Sequence, residues 1–246
     1  MTTQYHVRPQ ADSYGFGIGI LLIDCSTPFI PGDVGNASTY NYPVLYKTVP
    51  DVTLERLIEQ GDESLIDNVI EVAKYMESMG VKAITSDCGY MVRYQKKVAD
   101  AVNIPVILSS LVQLPMLERT IGARQKIGII CANKQRLSHE LLAIAGLQNP
   151  DCAVIYGLQD QPYFRAPILD ETGTLEPEKI QQEVVATALK MIEEHPEVGP
   201  ILLECSNLPP YANAVQKATG RLVFDYTTLI DSYFAAATRK TFQGLY

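Results

Sequence analysis

The sequence is poor in the residues that build metal and disulfide frameworks. Its 246 residues hold three scattered histidines (His6, His139, His195) and five cysteines (Cys25, Cys88, Cys131, Cys152, Cys205), no two of them at a Cys-x-x-Cys spacing. Such a set gives no support to a zinc site. An odd, sparse complement of cysteine also argues against a disulfide framework and for a reducing compartment, so a cytoplasmic location is expected. Positive charge is scarce as well, with 20 Lys and Arg against 28 Asp and Glu and a net charge of −8. No basic footprint is present, and nucleic acid is not expected as a partner. Long apolar runs are missing. The longest near the start, Phe16 to Ile23, is far too short to span a bilayer, and no membrane partner is expected. Met1 to Tyr14 is polar and lacks the layout of a signal peptide. No Gly-x-x-x-x-Gly-Lys-Ser/Thr motif occurs, and Gly15-Phe16-Gly17-Ile18-Gly19 begins a strand instead of following one, so it does not read as a dinucleotide fingerprint.

What is present is material for a core, 47% of it hydrophobic with a mean hydropathy of +0.02, arranged twice. An offset of 117 residues carries Val81 onto Val198, Ile84 onto Ile201, Asp87 onto Glu204, Cys88 onto Cys205, Tyr94 onto Tyr211 and Val106 onto Val223. Earlier in each half, Ile18-Gly19-Ile20-Leu21 matches Ile127-Gly128-Ile129-Ile130 at an offset of 109, and Val44-Leu45-Tyr46 matches Val154-Ile155-Tyr156 at 110. The growing offset places an insertion in the second half, at the Pro-, Gly- and acid-rich segment Asp160 to Pro177.

The short Ile/Val/Leu runs read as strands buried on both faces of parallel sheets. Between them lie amphipathic helices. Leu65, Val69, Val72, Ala73, Met76 and Met79 recur at helical steps before Gly80; Ile180, Val184, Val185, Ala188, Leu189 and Ile192 do so before His195-Pro196. Alternation of strand and helix predicts an α/β fold made of two pseudo-symmetric open parallel-sheet domains, with a cleft between them. The first half covers about residues 14–118 and the second about 122–226, and a C-terminal helix over 227–246 is expected to pack back on the first.

Cys88 and Cys205 each end a strand-like run, at the sheet edge where open α/β sheets bind ligands. Helix N-termini there stabilise anions and lower the pKa of a thiol. Free cysteines are also often plain buried residues, but a matched pair presents two thiols to one cleft and suits a proton removed from one face of a substrate and returned to the other. The residues that follow, Gly89 and Tyr90 in one half and Ser206 and Asn207 in the other, either hold a carboxylate or simply make the strand-to-helix turn. The long loop from Thr27 to Asn36, with Asp33 and Asn36, is either an anion-binding nest or a surface loop. Cys25 precedes that loop without a counterpart, since Lys134 falls at the matching place; Cys131 and Cys152 read as structural. Asp87 and Glu204 stand beside the thiols, yet neighbouring strand residues face opposite ways, which leaves them outside the expected site.

At these residues the chain resembles the aspartate/glutamate racemase superfamily, which includes the hydantoin racemases. The resemblance rests on the duplicated halves with a cysteine after the third strand of each, on Ile30-Pro31-Gly32-Asp33-Val34-Gly35-Asn36, and on Glu204-Cys205-Ser206-Asn207-Leu208-Pro209-Pro210-Tyr211. It implies a racemase or epimerase of an amino acid or similar small carboxylate that uses no pyridoxal phosphate, metal or other cofactor, with Cys88 and Cys205 as the two bases. Gly89, Tyr90, Ser206, Asn207, Asp33 and Asn36 are the expected substrate-binding residues. The chain departs from the well-known racemases, which have Cys-Asn-Thr at the first site and Cys-Thr, often followed by His or Glu, at the second. The same resemblance therefore leaves open a cysteine-dependent decarboxylase or cis–trans isomerase, and a non-catalytic small-ligand binder is the reading from another class. A homo-oligomer is compatible with the sequence, which does not fix the oligomeric state.

Overall fold

The computed structural model describes residues 4–245; residues 1–3 of the polar N-terminus and residue 246, the end of the expected C-terminal helix, lie outside the described residues. Two four-stranded parallel sheets form its framework. The first contains β1 (Ile18–Asp24), β2 (Val44–Thr53), β3 (Ala83–Ser86) and β4 (Val106–Ile107) in the order β2-β1-β3-β4. The second repeats that order as β6-β5-β7-β8, from β5 (Lys126–Cys131), β6 (Ala153–Gly157), β7 (Val198–Leu203) and β8 (Val223–Phe224). The connecting helices are α1 (Ile66–Met79), α2 (Gln95–Ala101), α3 (Leu114–Thr120), α4 (His139–Ile144), α5 (Pro162–Ile168), α6 (Pro177–Glu194), α7 (Ala212–Thr219) and α8 (Tyr226–Ala237).

The register refines the repeat. Ile18 stands opposite Val44, and its counterpart Ile127 stands opposite Ala153. The offset of 109 thus holds through the second strands, and the likeness of Val44-Leu45-Tyr46 to Val154-Ile155-Tyr156 is one residue out of structural step. On the other side Gly19 pairs with Ile84 and Gly128 with Ile201, while Ile84 meets Val106 and Ile201 meets Val223, as the offset of 117 requires.

Both halves use the same close helix-on-sheet contact. A Cβ on Gly19 would lie 2.7 Å from the Met76 sulfur of α1, and one on Gly128 would lie 2.4 Å from the Met191 sulfur of α6. Helix α1 buries Val69, Val72, Ala73, Met76 and Met79 and stops at Gly80, whose φ of 86° is easy only for glycine. Helix α6 buries Ile180, Val184, Thr187, Ala188 and Met191; Leu189 of the sequence pattern is exposed. Each buried side chain of this kind contributes about 1.5–3 kcal/mol of transfer free energy.

Helix α8 opens with Asp225, whose carboxylate accepts from the Thr228 N–H while the Thr228 hydroxyl accepts from the Asp225 N–H. Tyr226 and Ile230 then pack with Ile18, Ile20 and Ala83 of the first sheet. The helix ends at Ala237, short of the tail's full length, and the chain from Arg239 to Leu245 is irregular. No helix among the described residues is long and apolar enough to cross a membrane.

Candidate active site

Strands β3 and β7 end at Ser86 and Leu203, and the chain then turns through Asp87-Cys88-Gly89-Tyr90 and Glu204-Cys205-Ser206-Asn207. All eight residues line one narrow cavity. Its remaining wall is mostly apolar: Ile23, Phe29, Leu54, Ile58, Ala132, Ile168 and Leu169, with Cys25 and Thr27 at the side. No Lys, Arg or His is part of that lining.

The two loops are tied across the halves. The Ser206 hydroxyl donates to the Asp87 carbonyl, and the Ser110 hydroxyl donates to the carbonyls of Leu203 at 3.0 Å and Glu204 at 3.2 Å. The Tyr90 hydroxyl donates to the Asn133 carbonyl at 2.7 Å and accepts from the Asn133 N–H at 3.1 Å. Tyr90 is thereby a strut between the loops after β3 and β5, with its ring alone facing the cavity side.

Cys88 and Cys205 are both nearly buried, 6% and 7% exposed. Burial raises the pKa of each thiol well above its usual value, and the neighbouring Glu204 charge pushes the same way. The backbone N–H of Tyr90 opposes that rise at Cys88, as the backbone N–H of Asn207 does at Cys205. Cys205 has a further polar neighbour. Its thiol donates to Asn207 Oδ1 at 3.4 Å, and Asn207 Nδ2 donates to Asp33 Oδ2 at 2.6 Å. Burial lifts Asp33 to a pKa of about 7, against the N–H of Gly35 and the Asn207 amide. Cys25, in the cavity wall, is pushed up to about 11 by burial and by the Asp87 charge. Cys131 lies buried at the end of β5, outside the lining, and Cys152 sits at the opposite end of that sheet.

Asp33 and Asn36 lie off the cavity. Asp33 stands behind Asn207, and its Oδ1 accepts the Gly35 N–H at 2.9 Å. Asn36 caps the short turn that follows by accepting the Ser38 N–H, and it donates to the Phe29 carbonyl at 2.8 Å. The loop's own side chains fill the position that a bound anion would take in a nest.

Asp87 and Glu204, set aside on strand alternation, face into the site. Each lies just past its strand, where alternation no longer governs direction. Asp87 Oδ1 accepts the Ile23 N–H at 2.9 Å, and Glu204 Oε2 accepts the equivalent Ala132 N–H at 3.4 Å. The second oxygen of each, Asp87 Oδ2 and Glu204 Oε1, is buried without a hydrogen-bond partner. Burial raises both carboxyls to a pKa of about 8. Glu204 also explains Gly89: a Cβ there would lie 1.8 Å from Glu204 Oε1. The signal available in the sequence was the matched acid before each cysteine together with a glycine on only one side.

The inserted segment of the second half supplies part of the wall. Helix α5 lies in it, and Ile168 and Leu169 at its end face Leu54 and Ile58 of the first half across the cavity. The Thr27 hydroxyl donates to the Pro167 carbonyl at 3.3 Å, and the Ser26 N–H donates to Glu171 Oε1 at 2.6 Å.

No protein-family model matches the chain. A curated dimethylsulfoniopropionate lyase from Durusdinium sp. clade D is 35% identical over 223 residues, which cover 88% of this chain and 73% of that protein. The chain belongs to the dimethylsulfoniopropionate lyase family. A second member, dimethylsulfoniopropionate lyase 7 of Emiliania huxleyi, is 29% identical over 89% of this chain and 66% of its own length. The fold of this family member is shared more widely. Allantoin racemase from Klebsiella pneumoniae superposes with a TM-score of 0.62 at 16% identity, covering 93% of this chain and 97% of that one. Arylmalonate decarboxylase, as its Gly74Cys mutant, gives 0.61 at 14% over 90% and 92%. An aspartate racemase homologue from Pyrococcus horikoshii gives 0.57 at 17% over 90% and 98%. The two-sheet architecture is thus shared with these racemases and with the decarboxylase.

Proposed function

We propose that this chain is a lyase that cleaves dimethylsulfoniopropionate, or a close sulfonium analogue, by removing the proton next to the carboxylate. The observation that carries the reading is the cavity itself: two buried thiols, an apolar wall and no basic side chain. A zwitterion with a dimethylsulfonium group at one end fits that lining. Its two methyls meet Phe29, Leu54, Ile58, Ile168 and Leu169, and its carboxylate lies toward the backbone amides after the cysteines.

The chemistry needs one base. A thiolate takes a proton from the carbon next to the carboxylate, the C–H electron pair becomes the new double bond, and the C–S bond breaks with its electrons on sulfur. The products are neutral dimethyl sulfide and acrylate, and the proton resides on the thiol until solvent removes it. Cys205 is assigned as that base. The Asn207 amide oxygen beside it accepts from the thiol while Asp33 holds the amide nitrogen, and the backbone N–H of Asn207 favours the thiolate. Nothing equivalent follows Cys88, where Tyr90 stands at the place of Asn207 and its hydroxyl is engaged by the Asn133 backbone. Removal of a proton next to a carboxylate is also the opening step of the racemisation implied by the superfamily resemblance, so the two chemistries part only after it.

The test is direct. Purified protein given dimethylsulfoniopropionate should release dimethyl sulfide, read by gas chromatography, and acrylate in equal amount, read by proton NMR. Absence of both, with exchange of the α-hydrogen of an amino acid in heavy water instead, would overturn the lyase reading in favour of a racemase.

A further inference from the structure

Among the described residues no cation lines the cavity, and two carboxyl oxygens of the lining, Asp87 Oδ2 and Glu204 Oε1, have nothing to bind. We infer that Glu204, in its protonated form, donates from Oε1 the hydrogen bond that holds the substrate carboxylate, and strengthens that bond as charge develops there in the reaction. The inference rests on the lyase reading only for the identity of the substrate; what it requires of the site is a small carboxylate beside the thiols.

The geometry is specific to Glu204. Its backbone precedes Cys205, while Oε1 lies against Gly89, the residue after Cys88. The carboxyl group therefore spans the floor from one thiol loop to the other. Oε2 is anchored by the Ala132 N–H, which leaves Oε1 as the free end. Asp87 is one methylene shorter and stays in its own half on the Ile23 N–H; its opposite neighbour is Ser206, whose side chain is already bound to the Asp87 carbonyl. The groups that face Glu204 are Cys88 and Tyr90 after β3, Cys131 on β5, Cys205 after β7 and Tyr226 of α8. None of them is a cation, and burial among them favours the neutral acid.

A neutral acid does two things that a carboxylate cannot. It donates a hydrogen bond to an incoming anion in a dry site, and it supports the doubly charged carboxylate that forms as the neighbouring carbon loses its proton. It also removes a charge that, after burial, raises the pKa of both thiols.

The probe is 3-(methylthio)propionate, which keeps the carboxylate and a sulfide but has no sulfonium to expel. Binding is followed by calorimetry from pH 6 to pH 9 in the wild type and in Glu204→Gln, Glu204→Ala and Asp87→Asn. In the wild type and in Asp87→Asn, affinity should be flat below about pH 8 and fall about tenfold per pH unit above it. Glu204→Gln, which keeps a donor that cannot ionise, should bind within about threefold of the wild type and stay flat, and Glu204→Ala should bind about 10- to 100-fold more weakly at neutral pH. The Gln variant is nearly isosteric, so its pH profile decides the matter even where the Ala variant does not fold. A wild type that binds no carboxylate, a Gln variant that loses affinity in step with the wild type, or an Ala variant that binds as well as the wild type, overturns the inference. Failure of the wild type to release dimethyl sulfide defeats the lyase reading alone and leaves this binding result standing.

Discussion

The two thiol loops occupy equivalent places at the ends of equivalent strands, yet their side chains make different contacts. After Cys88 the chain has Gly89, kept small by a carboxyl group from the other half, and Tyr90, whose hydroxyl braces Asn133. After Cys205 it has Ser206, which ties the loops together, and Asn207, which reaches both the thiol and Asp33. A duplicated scaffold supplied two similar positions, and the residues beside them make different contacts. Symmetry in the backbone therefore does not carry over to the side chains around the thiols.

The sharpest way to break that contrast is to remove each thiol in turn. Cys205→Ser should lower the rate of dimethyl sulfide release by about 10³-fold or more, the range expected for loss of a positioned base. Cys88→Ser should lower it by only about tenfold, since a serine still fills the site and no proton is assigned to that thiol. Equal losses would restore a symmetric pair. Next in size is Asn207→Ala, which removes the partner of Cys205 and should cost about 10- to 100-fold in kcat with a smaller change in KM. If Asn207→Ala leaves the rate unchanged while Tyr90→Phe lowers it, the assignment of the two loops is reversed.

Stability sharpens the comparison further. Gly89→Ala sets a methyl against Glu204 and should destabilise the fold by about 1–3 kcal/mol, seen as a lower Tm, and Glu204→Ala should relieve part of that loss in the double variant. The buried carboxyls give a pH dependence of a definite sign. Asp33 at about 7 and Asp87 and Glu204 at about 8 sit above the values they take in the unfolded chain. Between about pH 4 and pH 8 the folded state binds more protons than the unfolded one, so stability falls as pH rises through that window. Glu204→Gln should flatten the fall of Tm and be more stable than the wild type above pH 8. The smallest effect belongs to the wall: Thr27→Val loses one hydrogen bond to the inserted segment and should shift stability by about 1 kcal/mol or less, with KM raised more than kcat is lowered.

Much of this was legible in the sequence because duplication leaves a trace that a single domain does not. The matched runs around Cys88 and Cys205 placed both thiols at strand ends, and the growing offset drew attention to the segment Asp160 to Pro177, in which α5 brings Ile168 to the cavity wall. What stayed hidden depended on where strands stop. Strand alternation predicts that Asp87 and Glu204 point away, but it does not hold one residue past Ser86 and Leu203. Asn36 and Asp33 looked free to bind an anion, but a loop rich in amides also satisfies itself, and the sequence does not show which side chain turns inward. The one-residue slip in the second strands came from trusting a likeness of letters, Val-x-Tyr, over the pairing that sets register.

The lack of any basic side chain around the cavity bears on how a turnover ends. On the lyase reading, dimethylsulfoniopropionate would enter with its charges balanced, and breaking the C–S bond would remove the positive end as a volatile neutral molecule. A bare anion would then remain among Asp87, Glu204 and a thiol that must itself shed a proton to begin again. As Glu204 or the thiol ionises, acrylate has no countercharge to hold it. The site would thus discharge its product by the same shortage of positive charge that lets the intact substrate in.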